Sequence, residues 1–501
     1  MSTLLVHGYN GASGSTNKLI ANSAGYFRAY NSSSSLWETQ QGQFFDASTF
    51  IDSENFLDYA FFVNGINSNL SYNGSWSTSA NLLDSPKAKY IKSLGVSLYL
   101  GNVIIPQGGT FRSRVVYSDP PTNNVVVWGL ESGADLSQTI STAVITSTGS
   151  LFKTRGIAVG DPFYITSGTN AGEYVINSVD SETQITLTKT LAATQTNSSF
   201  WCGGNWFDVN TDDGDVLTGF GRNSNEIIIF KRNSVHRYSD RASTLRQVKS
   251  YPGTGSFRSI VDLNEYTYYY DPSSNAIRRY DGSDCLIVSN AVEDLLQNMS
   301  SAIKDNVVGW ATNGKVVEMY IGDTSDRFGN SITNCVLMLD TSSQIWSTRS
   351  LPFAIDSAGS YILNSRPDTY VGTPTGKVLM VDNGYKYDTN DISFELQDKV
   401  IFPEGSDISV NFDRIRLFIE NGLDVQVMYR LMYIPISQNT WKHGEWESLA
   451  GTANGDMVEF VFPTNKPRRS TGIQFKLIQS SGDESFLLEK YILYYSNPAL
   501  R

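Results

Sequence analysis

The sequence predicts an all-β protein: a β-propeller with an inserted small β-barrel and a C-terminal β-sandwich. Three observations lead there. The 501 residues include 27 Tyr, 25 Phe and 9 Trp, and runs such as Tyr266-Thr-Tyr-Tyr-Tyr270 suit pleated, half-buried surfaces. A unit of strand, Gly/Asn/Asp turn and second strand recurs, with starts at Glu226, Glu265, Lys315 and Asp368. Its spacings are 265 − 226 = 39, 315 − 265 = 50 and 368 − 315 = 53, where propeller blades repeat at roughly 40 to 50 residues. From about Ser393 the pattern changes to longer alternating strands, which read as a sandwich. With 40% hydrophobic and 18% charged residues, the chain can bury real cores, and its length suggests two to four domains.

The elements follow in order. Residues 8–35 are rich in Gly, Ser and Asn with little periodicity, so 1–50 reads as an extended N-terminal arm that orders on neighbouring molecules. Propeller strands are expected over 51–130 and 199–390. They include Tyr59-Ala-Phe-Phe-Val63, Val96-Ser-Leu-Tyr-Leu100, Glu226-Ile-Ile-Ile-Phe230, Val316-Val-Glu-Met-Tyr320 and Val378-Leu-Met-Val381. The 226 − 96 = 130 residues between two of these starts are too many for one blade. The excess, 131–198, holds short strands at Ala143–Thr146, Asp161–Thr166, Glu173–Ile176 and Gln184–Thr188. Four or five such strands leave unpaired edges unless they close, so a small barrel is expected, removable without unfolding the propeller. One helix is predicted over Ser289–Val307, where Val292, Leu295, Leu296, Met299 and Ile303 recur at the helical period. The sandwich takes 391–501, with strands at Ile415–Ile419, Val425–Tyr429, Ile473–Leu477 and Lys490–Tyr495.

Charge and cysteine content narrow the function. Lys and Arg total 38 against 50 Asp and Glu, a net −12, which is unlike a nucleic-acid binder built on a basic surface. Cys202, Cys285 and Cys335 are odd in number and far apart, so neither a disulfide scaffold nor a CxxC metal knuckle is expected, and the chain reads as maturing in a reducing compartment. No apolar run suits a signal peptide or a membrane span, so membrane insertion is not expected.

Catalytic chemistry is not expected either. Val6-His7-Gly8 resembles an oxyanion turn, but the G-x-S-x-G elbow that would accompany it is missing. His236 and His443 have no metal-ligand spacing. The stretch Asp208-Val-Asn-Thr-Asp-Asp-Gly-Asp215 begins like a calcium loop, yet it has Asp213 where Gly is needed and Gly219 where the bidentate Glu belongs, so a solvated turn is preferred. Carboxylate pairs such as Asp52 and Glu54 read as chance, and no cofactor is predicted. One island is basic: Arg222, Lys231, Arg232, Arg237 and Arg241, with Arg246 and Lys249 beyond, against Glu226 and Asp240. It is either an exposed charged strand edge or a surface that docks onto an acidic neighbouring subunit or touches a nucleic-acid backbone without sequence specificity. Lys466-Pro-Arg-Arg469 admits the same two readings.

Several motifs carry a resemblance. Ser93-Leu-Gly-Val-Ser-Leu-Tyr-Leu-Gly101, Phe111-Arg-Ser-Arg-Val-Val-Tyr-Ser118, Trp128, Gly214–Phe220, Phe230–Tyr238, Gly253–Ile260, Tyr280-Asp281-Gly282, Ile287–Ser289, Gln344-Ile-Trp346 and Gly376-Lys-Val378 are similar to the core of the short-tail nozzle and hub β-propeller proteins of tailed bacteriophages, including the packaged-DNA stabilisation type. The resemblance covers about 50–400, with Trp128, Tyr280, Asp281, Gly282 and Trp346 as its propeller signature.

That resemblance implies a virion structural protein, made in the bacterial cytoplasm and not an enzyme. It implies a ring of the protein with itself, commonly six copies, below the portal and adaptor proteins, with tail fibre or needle proteins as further partners. Packaged DNA would pass without sequence-specific contact, and an acidic wall would let it slide. The runner-up is a glycan-binding propeller acting in host receptor recognition, with the aromatic residues as stacking faces.

Overall fold

The computed structural model describes residues 3–497 except 10–16, 32–33, 35, 39–42, 79–81, 83–84, 106–108, 122–124, 127, 129–130, 240–241, 250, 328, 364–365, 382–385, 388–389, 392–393, 406–407, 421–423, 434–441, 454–456 and 480–486. The protein is all-β and divides into two compact units, Met1–Val381 and Asp382–Arg501.

In the first unit the chain lays down one antiparallel sheet after another, each in simple up-and-down order. Seven such sheets lie among the described residues. They start at Thr3–Tyr9, Asp52–Phe56, Lys87–Leu94, Leu217–Asn223, Val261–Leu263, Val308–Thr312 and Ser357–Leu363. Each of these first strands lies beside the first strand of the next sheet, and the seventh lies beside Thr3–Tyr9. The order of neighbours is therefore cyclic.

Second strands explain the apolar runs in the sequence. Residues 227–231 in Glu226–Lys231 are all buried, because sheets cover both of its faces. Side chains of a strand alternate between faces. Ile227 and Ile229 accordingly join Tyr99 and Tyr238 in the core shared with the third sheet, whereas Ile228 and Phe230 join Tyr269 and Tyr280 in the core shared with the fifth. Tyr268, Tyr269 and Tyr270 are buried in the same two-sided way. Aromatic rings of this size supply much of the area removed from water.

The N-terminal segment is not an extended arm. Thr3–Tyr9, Lys18–Ser23, Tyr26–Asn31 and Leu36–Trp37 form the first sheet, with Leu4, Leu5, Val6 and Tyr9 buried. Small residues hid the alternation, and the opening Leu-Leu-Val was the signal. The seam with the seventh sheet is backbone against backbone. A Cβ on Gly8 would lie 1.8 Å from the Ser360 carbonyl oxygen, and one on Gly359 would lie 2.3 Å from that of Val6. Thr3 N donates to Thr373 O at 3.0 Å, and Ser357 Oγ donates to Thr3 O at 2.9 Å.

The helix is also shorter than expected: a 3-10 turn at Asn290–Val292 leads into an α-helix at Glu293–Gln297. Val292, Leu295, Leu296 and Met299 keep their buried places. Beyond them the Ser300 hydroxyl accepts from the Ala302 amide, the local competition by which Ser ends helices.

A closed six-stranded barrel spans Glu131–Cys202, between the third and fourth strands of the third sheet. It has its own core, including Leu136, Ile145, Phe163, Ile185 and Phe200. Its outer Tyr164 and Trp201 stack at 3.8 Å and pack with Val126 and Trp128 against the third sheet.

The second unit sets two sheets around one core. Val410–Glu420 is central in one and Gly472–Gln479 with Val425–Tyr433 in the other. Phe412, Ile415, Leu417, Val427, Phe462 and Phe475 fill the space between, as in a sandwich.

Candidate functional site

The basic island does not form one surface. Lys231 is fully buried, and its ammonium donates to Val209 O at 2.8 Å, Asn210 O at 2.7 Å and both Asp213 carboxylate oxygens at 2.7 Å. A lysine charge thus fills the place where a cation was considered in the Asp-rich loop, and Lys231 has no surface for docking. Burial acts to raise the Asp213 pKa, but its bonds from Lys231 and the Asp215 amide outweigh that and hold it low. Asp208, at the loop's start, instead takes the Arg114 guanidinium, with Nε–Oδ1 at 3.0 Å and Nη2–Oδ2 at 3.2 Å.

Arg237, about a third exposed, is also bonded within the chain. Its Nη1 donates to Gly282 O at 3.1 Å and lies 3.4 Å from Glu226 Oε1, while Tyr280 Oη donates to Glu226 Oε2 at 3.2 Å. A residue read as docking and two read as signature meet in one cluster that ties the fourth sheet to the fifth. Gly282 has φ of 98°, and Asp281 accepts from the Ser283 and Asp284 amides, which shapes the turn presenting that carbonyl. Trp346 Nε1 donates to Val288 O at 2.8 Å, and Trp128 is buried beside the barrel. Of the island, Arg222 is exposed, and Arg232 is half exposed in an ion pair with Asp305 at 3.0 Å. Arg241 lies outside the described residues. His443 lies 3.2 Å from Arg430 Nη1.

What sequence reasoning passed over is a cavity of about 430 Å³ between the first strands of the sheets. His7, Asp52, Asn55, Lys92 and Arg258 all face it. Asp-Ser-Glu-Asn, residues 52–55, places four polar side chains in a row on one of these strands. Ser53 Oγ lies 2.9 Å from His7 Nδ1, and Asn55 Oδ1 lies 3.0 Å from Nε2. Asp52 Oδ2 accepts from the Ile91 amide at 2.9 Å. Lys92 Nζ reaches Asp262 at 2.7 Å and Glu54 at 3.6 Å.

Burial sets the protonation states. It pushes the Asp52 carboxyl up to about 7 against the Ile91 amide and the Lys92 charge. It also lowers His7, with the Asn55 bond and the Glu54 charge opposing. For Lys92 burial is outweighed by Asp262 and Glu54, which hold the ammonium charged. Perturbed groups facing one cavity mark a binding-site candidate. The signal available in the sequence was polar 52–55 directly before an aromatic strand.

No family model and no curated protein matches the chain. Among solved structures, the crystal structure of the computationally designed Ika8 protein is similar over 76% of this chain and 99% of that one, at 7% identity and a TM-score of 0.35, a likeness too low to carry an argument.

Proposed function

We propose that the first unit is a seven-bladed β-propeller and that the protein is a structural subunit of a phage tail, forming a nozzle or hub ring below the portal and adaptor. One observation carries the reading: the motifs of the resemblance fall at turns and strand ends of consecutive sheets in cyclic order. Ser93–Gly101 spans the first hairpin of the third sheet, Phe230–Tyr238 a hairpin of the fourth, and Tyr280–Gly282 a strand end of the fifth. Gln344–Trp346 opens the last strand of the sixth and Gly376–Val378 that of the seventh. Function in such a subunit comes from packing against copies and neighbours.

With Lys231 and Arg237 committed to partners within the chain, the exposed Arg222 and the half-exposed, Asp305-paired Arg232 are the docking residues of the island that remain among the described ones. Reversing both to Glu is expected to block ring assembly, read by mass photometry and negative-stain images, while DNA affinity across salt stays flat. Normal rings from the reversed protein would overturn docking. A steep salt-dependent DNA affinity, with roughly 0.9 in log slope per neutralised phosphate, abolished by the reversal, would instead make the island a DNA contact.

A further inference from the structure

Among the described residues, Arg258 is the one cation facing the cavity whose hydrogen bonds end on neutral atoms. Its Nη1 donates to the Asp356 backbone oxygen at 2.5 Å, and its Nη2 donates to Asn306 Oδ1 at 2.9 Å. The guanidinium lies 3.5 Å from the centre of the Phe50 ring. Lys92, by contrast, has two carboxylates. Buried charges are ordinarily paired, because an unpaired ion loses its hydration for no return. The fork has five N–H donors, and the two bonds above leave three of them.

The cost shows in the guanidinium itself. Burial pulls its pKa down to about 10, and the Asp356 carboxylate opposes this through its charge. Around it the wall combines Gly309, Ser357, Ala358 and Gly359 on one side with Asp52, Asn55 and Lys92 from other sheets. The volume, about 430 Å³, exceeds that of one or a few waters, which need only about 30 Å³ each.

We propose that this cavity is a binding site for a small oxyanion, a carboxylate or phosphate group, held by the planar fork of Arg258. A guanidinium matches both groups through paired N–H donors, and its hydrogen bonds to an ionised acceptor are about twice as strong as those to a neutral one. The site is separate from the docking residues, and it stands whether or not the chain belongs to a tail.

The test uses the full chain with inorganic phosphate and with acetate as probes, against chloride at matched ionic strength. Calorimetric titration should give saturable binding of at least one oxyanion and none of chloride. Arg258→Gln should weaken it at least tenfold while the far-ultraviolet spectrum keeps its strand signature. Should that variant not fold, the wild-type protein supplies the answer: phenylglyoxal modification of Arg258, read by peptide mass spectrometry, is expected to be slowed severalfold by the bound anion. Tighter phosphate binding would point to a phosphate ester as occupant, and tighter acetate binding to a sugar acid or another carboxylate. No saturable binding of either probe, undiminished binding by a folded Arg258→Gln protein, or unprotected Arg258 would each overturn the proposal.

Discussion

At the residue scale, the half-buried Asp52 and the buried His236 of the first unit should tilt stability in opposite directions with pH. Asp52 titrates at about 7 in the folded protein and near 4 when unfolded. Between those values the unfolded chain has lost a proton that the folded chain keeps, so stability falls as pH rises and levels off above 7. His236 is buried beside Ser234, with burial and the Lys231 charge lowering its pKa to about 4. The unfolded chain takes up that proton near 6.5, so this contribution falls as pH drops from 6.5 to 4. They are worth roughly 3–4 kcal/mol each and oppose one another in the wild type, with His7, also lowered by burial, on the side of His236. Asp52→Asn should therefore give a urea midpoint that climbs with pH between 4 and 6.5, and His236→Gln one that climbs less than the wild type or declines. Two flat curves would show that neither group is buried as described. None of this was legible in the sequence, because Asp52 and Glu54 are an ordinary pair among 50 acidic residues until the fold surrounds them. Lys231 was misread for the same reason: a Lys-Arg dipeptide gives no hint that one member points into an acidic loop.

Among elements, the barrel is the most self-contained, yet its seating is specific. Arg114 of the third sheet sits between the rings of Phe111 and Trp206, 4.3 and 4.2 Å from their centres. It reaches across to Glu173 of the barrel at 2.6 Å while holding Asp208 of its own sheet. The barrel's last strand runs on to Cys202, past the expected border at 198, so removing Glu131–Cys202 and joining the ends by a short Gly/Ser linker should leave the rest of the unit folded, since the barrel's core is its own. It should also cost about 2–4 kcal/mol, from exposing Trp128 and removing one of the two carboxylates on Arg114. Thermal unfolding of the deletion protein checks this; an unchanged midpoint would mean that the seating contributes nothing. Short alternating strands between turn clusters made this segment legible, and the meeting of Trp128 and Trp201 in one buried cluster was not, because they lie 201 − 128 = 73 positions apart. The opposite failure occurred at 8–35, where glycines that permit close strand approach looked like the glycines of a loose arm.

For the whole molecule, the cyclic order sets the Thr3–Tyr9 strand of the first sheet directly against the seventh. Removing residues 1–9 should loosen the entire Met1–Val381 unit rather than one edge of it. Hydrogen exchange is the measurement: amides of Glu226–Lys231, on the far side of the cycle in chain order, should lose protection by at least tenfold. Loss confined to the first and seventh sheets would show that the remaining sheets stand without closure. Closure also accounts for how the cavity keeps its shape, since its walls come from the first strands of separate sheets. The repeat spacing revealed the kind of these sheets but not their number, since the first was read as an arm, and the neighbour that the opening strand meets across the seam lies at the other end of the unit, beyond the reach of any local pattern.

The seam has a consequence for synthesis. Ser357 and Thr3, joined across it, are 354 positions apart. At about 5–20 residues per second, the ribosome needs roughly 20–70 s to deliver the second after the first. Throughout that interval a nascent strand with apolar side chains stands without its final neighbour, and in a crowded polysome the nearest equivalent is the same strand on the next nascent chain. Translation speed, or a chaperone that shields those opening residues for about a minute, therefore becomes a determinant of yield.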